Sequence, residues 1–275
     1  MSENNRNEIF KSEDFEKIEL VHDDIFVLTD FEKQGFNIVK IRLNWDVASN
    51  SDVDLDIAAV LLNRNGNVER YEDLVFFDAG MPRRKGFEDP ETRRIPKYED
   101  IDSKKHRRWK TKKPIGASDF DPLDGEISLL SEEIKHNISK ENWKKQTLPI
   151  SLDNSVIGSW DDLGEDEGGH EEQMYIRFRE ISGNYSSIAI VAAVSNKDIR
   201  KEKKFGDIYN PVITIIDAND NVELAEFKLN NDHPECDSIC VGFVQFNPNK
   251  ASWEFKASEK AYTGGMVAVA NSFNR

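Results

Sequence analysis

The chain is short of soft ligands and of apolar runs. Two cysteines, Cys236 and Cys240, in 275 residues make no disulfide framework. They leave no second Cys or His pair at zinc spacing. No apolar run approaches the roughly 18 residues that span a bilayer. The polar start, Met1-Ser2-Glu3-Asn4-Asn5, is not that of a secretory signal, so a cytoplasmic location is expected. Positive charge is in deficit, with 37 Lys and Arg against 52 Asp and Glu, a net −15. Such a field repels phosphates and argues against a general binder of nucleic acid or anionic membrane. The five histidines are scattered, and there is no G-x-S-x-G elbow, no phosphate loop and no G-x-G-x-x-G. The chain is therefore expected not to be an enzyme.

Alternating apolar patterns are plentiful. Val39, Ile41, Leu43 and Trp45 share one face of an extended segment, with Lys40, Arg42 and Asn44 on the other. Leu55 to Leu62 is a near-continuous apolar run after an acidic start, and Ile188 to Val194 reads as a strand buried on both faces. Asp73–Phe77, Met174–Arg179, Val212–Ile216, Val222–Leu229, Ile239–Phe246 and Trp253–Phe255 follow, separated by turn signals such as Asn65-Gly66-Asn67 and Asn247-Pro248-Asn249. Many short strands predict an all-β fold, a β-sandwich. Residues 1–35 read as an N-terminal extension that could add a strand, and 36–275 as the sandwich domain. Residues 82–150 read as an insertion. Within it, Arg83–Lys113 carries 13 Lys or Arg against 6 acids. Ser131–Lys145 has the pattern of an amphipathic helix, with Ser131 as N-cap and Ile134, Ile138 and Trp143 on one stripe.

Two acidic stretches stand out. Leu152–Glu172 carries eight carboxylates, four glycines and no Lys or Arg. Like charges so crowded raise the cost of ionising one another, and a divalent cation removes that cost. Oxygen-only ligands in a flexible loop suit calcium best and magnesium next. Asp52, Asp54 and Asp56 form the second stretch. At period two they point to one side of an extended chain. The two loops are expected to meet at one end of the sandwich.

These motifs carry a resemblance. N-W-D at 44–46, D-V-D-L-D-I at 52–57 and L-V-F-F-D at 74–78 resemble the opening of the TerD domain, named for tellurium resistance. D-N at 153–154 with the acidic loop ending in E-E at 171–172 resembles its second signature. F-G-D-I-Y-N-P-V-I-T-I-I-D, then W-E-F-K-A and A-Y-T-G-G-M, resemble its later strands. The resemblance covers about 36–78 and 152–273. It implies a cytoplasmic calcium-binding β-sandwich linked to stress responses, holding more than one Ca2+. It places metal ligands at Asp54, Asp56, Asp153 and Asn154. Further ligands fall among Asp161, Asp162, Glu165, Asp166, Glu167, Glu171 and Glu172, in a loop longer than the family's own. Other proteins of a stress-response complex are the expected partners. Two other classes stay open: a magnesium- or manganese-dependent hydrolase using the same carboxylates with His170 as base, and a nucleic-acid or membrane adaptor acting through 83–113 with Trp109 stacking on a base.

Overall fold

A computed structural model of the chain describes residues 16–29, 37–47, 53–70, 73–76, 149–151, 153–158, 170–219, 221–230 and 232–274. The basic stretch Arg83–Lys113 and the helix expected over Ser131–Lys145 lie outside these. Two six-stranded sheets face each other. Sheet A has the order β1 (Ile18–Leu20), β10 (Val222–Lys228), β9 (Ile208–Asp217), β3 (Ile38–Val47), β7 (His170–Arg177), β6 (Val156–Gly158). Sheet B has the order β2 (Ile25–Val27), β12 (Ser252–Tyr262), β11 (Ser238–Asn247), β8 (Tyr185–Val194), β4 (Leu55–Asn63), β5 (Leu74–Phe76). All pairings are antiparallel except β1 on β10.

The period-two pattern fixes the core. Val39, Ile41, Leu43 and Trp45 are buried between the sheets, with Met174 and Ile176 of β7 and Ile213 and Ile215 of β9 beside them. β8 is apolar on both faces because both are covered. Ile188, Ile190, Ala192 and Val194 face sheet A. Ala189, Val191 and Ala193 lie in a second apolar cluster with Ala58, Val60 and Leu62 of β4. Among the described residues there are two short α-helices, α1 (Asn196–Ile199) after β8 and α2 (Gly265–Ser272) after β12. α2 closes the second cluster from outside with Met266, Val269 and Ala270.

In β11 the alternation breaks at a bulge between Cys240 and Gly242. Val241 and Val244 both reach the inner core, while Cys240 belongs to the outer cluster. Both cysteines are buried free thiols. Burial pushes the Cys236 thiol up to about 11 and the Cys240 thiol up to about 12. Neither has the thiolate character of a nucleophile or soft-metal ligand.

Residues 16–29 supply two edge strands, one to each sheet. β1 is held by ionic contacts across its surface. Lys17 bridges Glu223 and Glu226, and Lys228 bridges Glu19 and Glu226. The Lys17 ammonium, with Lys228, holds Glu226 below its ordinary value. Burial alone would raise Glu223, but Lys17 and Arg42 outweigh it and the net direction is down. A carboxylate depressed in the fold contributes stability above its unfolded pKa and loses it as pH falls through the folded value. β1 docking is therefore expected to be complete at neutral pH and to weaken as pH drops below the ordinary glutamate range. Hydrogen exchange of residues 16–21 at pH 7 and pH 3 checks this, and equal protection at both would count against it.

Candidate functional site

The ladder registers define which loops share an end. β3 runs toward Val47, whose partner is Ile208 at the start of β9. Trp45 lies opposite His170 at the start of β7. β4 starts beside Val194 at the end of β8. The end of β3, the starts of β4, β7 and β9 and the end of β8 therefore all lie at one end of the sandwich. The Trp45 indole marks it, donating Nε1–H to the Val53 carbonyl at 3.2 Å and stacking on His170 with ring centroids 5.3 Å apart.

Asp54 and Asp56 stand at this end. The Asp54 amide donates to Asp198 Oδ2 at 3.0 Å, and its carbonyl accepts from the Ser195 amide at 2.9 Å. Asp56 is buried. Leu55 and Ile57 on either side of it face the inter-sheet core, so strand alternation turns Asp56 to the outer face of sheet B. Glu172 is also buried at this end, but it follows the phase of Met174 and Ile176 and points between the sheets. Asp56 and Glu172 therefore share an end and not a face.

Asp153 and Asn154 are elsewhere. The chain runs from them through β6, where Val156 pairs with Ile176 and Gly158 with Met174. The Arg177 amide donates to the Ser155 carbonyl at 2.7 Å, which puts Asp153 at the opposite end, where β3 begins. The two acidic signatures do not meet through Asp153 or Asn154. The Asp153 carboxylate is also occupied. Oδ1 accepts from Ser151 Oγ at 2.7 Å, Ser155 Oγ at 2.7 Å and the Ser155 amide at 3.0 Å. Oδ2 accepts from the Ser182 amide at 2.8 Å. It is the clasp of a tight turn, and Asn154 takes the left-handed conformation that turn requires, at φ 59°. After Gly158 the described chain resumes at His170, at the Asp56 end. The expected ligands Asp161, Asp162, Glu165, Asp166 and Glu167, with Asp52, lie outside the described residues.

Two carboxylates missed in the sequence are buried at the Asp54 end. Asp198 is held by α1 and accepts from Ser195 Oγ at 3.3 Å and Lys201 Nζ at 2.7 Å. Asp237 accepts from the Gly265 amide at 2.7 Å, the Gly264 amide at 3.0 Å and Lys204 Nζ at 3.2 Å. It caps α2 from a distance. A flag for both was their place just outside strand-like runs. Among the described residues no three potential ligands gather around one point. The donor type still suits a hard cation: Asp54 and Asp56 would contribute carboxylate oxygens, and an ion bound there would offset their mutual repulsion.

The chain matches the TerD domain over residues 17–90 and 108–273, and it belongs to that family. The match takes in both edge strands of the N-terminal segment and leaves out 91–107. General stress protein 16U of Bacillus subtilis (strain 168) is 26% identical over 165 residues, spanning 60% of this chain and 83% of the relative. Tellurium resistance protein TerD of Serratia marcescens is 22% identical over 165 residues, with the same coverage of 60% and 83%. Among solved structures, the unknown-function protein SAV2460 superposes with a TM-score of 0.50 at 14% identity, covering 88% of this chain and 99% of that one. That likeness shows the sandwich fold alone. No helix of the described residues is long and apolar enough to cross a membrane.

Proposed function

We propose that this chain is a calcium-binding, non-catalytic stress-response protein of the tellurium-resistance type. Asp52, Asp54 and Asp56, together with carboxylates of the loop after Gly158, hold Ca2+. The ion relieves the repulsion of the carboxylates and orders that end of the sandwich as a surface for another protein of a stress-response complex. The observation that supports this reading is the register: Asp54 and Asp56 at the start of β4 and His170 at the start of β7 lie at the same end of the sandwich, marked by the Trp45–His170 stack. Asp153 and Asn154 are left out of the ligand set, because the former's oxygens are taken and both sit at the other end.

The test is calorimetric titration of EDTA-treated protein with calcium and then magnesium, with Tm followed in parallel. Calcium is expected to bind with Kd on the order of micromolar, and tighter than magnesium. At a hundredfold excess over Kd the linkage is worth about 2.7 kcal/mol, a rise in Tm of roughly 5–10 °C for a domain of this size. A folded protein with no heat of calcium binding and an unmoved Tm would sink the proposal.

A further inference from the structure

Residues 18–27 hold four of the six large hydrophobic side chains that stand exposed among the described residues. Ile18, Val21, Ile25 and Val27 are 44%, 63%, 52% and 44% exposed, while Tyr209 and Phe246 lie apart on β9 and β11. Exposed hydrophobics scattered singly need no explanation, but a run of them marks a contact surface. The strands at the other edge of each sheet, β5 and β6, expose none. Leu74, Val75, Phe76, Val156 and Ile157 are all buried. β1, the outer strand of sheet A, carries the ion pairs of Lys17 and Glu19 on its surface. β2 has no such guard.

β2 is the edge of sheet B, with no strand beyond it among the described residues. Its pairing with β12 fixes which of its backbone groups are left over. The Leu28 amide donates to the Trp253 carbonyl at 2.8 Å, and the Asp24 carbonyl accepts from the Ala257 amide at 2.9 Å. Phe26, opposite Phe255, is in the same phase. Antiparallel ladders alternate, so Asp24, Phe26 and Leu28 bond to β12, and the N–H and C=O groups of Ile25 and Val27 point away from it. Side chains alternate too. Phe26 and Leu28 lie in the inter-sheet core, and Ile25 and Val27 stand on the outer face of sheet B. The paired stretch 24–28 has no Pro, no Lys and no bulge to blunt the edge. Its one carboxylate is turned back, with Asp24 Oδ2 accepting from the Val21 amide at 2.9 Å. Asp23 beside it is paired with Lys256 at 2.8 Å.

We infer that two copies of this chain join edge to edge through β2, so that the six-stranded sheet B of one continues antiparallel into that of the other. The strand is complementary to its own reverse. About a two-fold axis at Phe26, Ile25 of one copy faces Val27 of the other, and the reverse. Each facing pair exchanges an N–H and a C=O in both directions, which satisfies the left-over groups of both strands. On the outer face each pair is apolar on apolar. The row across the junction runs Lys256, Ile25, Val27, Glu254, so the charges flanking the apolar pair are of opposite sign. Asp23 comes opposite Thr29, and no like charges are set against each other. A foreign strand could use the backbone groups, but this match of side chains and charges under a two-fold axis selects a second copy. A strand this short gives a small contact, at the transient end below roughly 1,200 Å². The dimer therefore depends on concentration.

The test is sedimentation equilibrium of the full chain at physiological salt, from about 5 µM to about 300 µM, a range suited to a contact of this size. A shift from monomer to dimer is expected. Val27→Lys sets a cation against the apolar pair and near Lys256 of the other copy, and it should stay monomeric throughout. Its Tm should not move, because the side chain points to solvent in the single copy. Val27→Thr keeps the β-branched shape and is expected to weaken association in a chain that folds as wild type. Register is read by cysteine pairing, since Cys236 and Cys240 are buried and do not compete. Ile25→Cys mixed with Val27→Cys under a mild oxidant should give a disulfide-linked dimer of the two variants. Each variant alone should give far less, because facing Cα atoms lie about 5.5 Å apart and like residues lie on the diagonal. Monomer at every concentration would overturn the inference. So would a dimer that Val27→Lys leaves intact, or cross-linking no greater in the mixture than in either variant alone.

Discussion

Asp237→Ala is expected to destabilise the protein by about 3 kcal/mol and to free α2 from sheet B. The carboxylate is 1% exposed and satisfies the amides of Gly264 and Gly265, with Lys204 as its ionic partner. An N-cap is worth about 1 kcal/mol, and buried donors left without an acceptor cost about 1–3 kcal/mol more. α2 has no cap of its own, since Gly264 precedes it in a left-handed conformation at φ 114°. Freed of the cap, the helix exposes the cluster of Ala58, Val60, Val191 and Cys240 that it covers. Two readouts follow: a lower midpoint in urea, and a Cys240 thiol that reacts with a disulfide reagent under native conditions. Asp237→Asn keeps an acceptor oxygen and should lose about half as much. A change within about 0.5 kcal/mol in Asp237→Ala would show that the cap does not hold α2.

Gly242→Ala should cost a similar amount for a different reason. The β11 bulge brings the neighbouring strand so close that an added Cβ would stand 2.7 Å from the Lys256 carbonyl oxygen, with the Phe255 ring beside it. A ring can turn, but a carbonyl held in the β11–β12 ladder cannot give way without breaking pairing. Overpacking of this kind costs about 1–3 kcal/mol, and the backbone clash puts the site at the upper end. Gly183→Ala is the control. Nothing lies within 4 Å of a Cβ there, and its φ is not in the left-handed region. It should be neutral or slightly stabilising. Equal stability of the two variants by urea unfolding would contradict the close approach at the bulge.

The strands were legible where one physical signal sufficed. Period-two burial in β3 and apolar residues on both faces of β8 are set by side-chain alternation alone. α2 was not legible, although Met266, Val269, Ala270 and Phe273 have helical spacing. Its cap comes from Asp237, 27 residues before Gly264, so no local start signal precedes it. β1 and β2 are three residues each and fall in the segment read as an extension that could add a strand. They are strands because the edges of β10 and β12 accept them.

For the candidate site, the sequence shows residue types and not their surroundings. D-N at 153–154 has the residue types of a cation loop. In the fold the Asp153 carboxylate accepts from Ser151, Ser155 and Ser182, the last of which joins only through the fold. In the same way Asp56 and Glu172 are both acids at one end of the sandwich, and only strand phase separates their faces.

The most direct test is one calcium titration run on three EDTA-treated proteins: wild type, Asp56→Asn and Asp153→Asn. Binding through the Trp45–His170 end predicts that Asp56→Asn loses most of the binding heat and the calcium-dependent rise in Tm. Asp153→Asn should melt lower than wild type yet bind calcium with unchanged affinity. Loss of binding in Asp153→Asn, with Asp56→Asn unaffected, would place the ion at the opposite end and contradict the account.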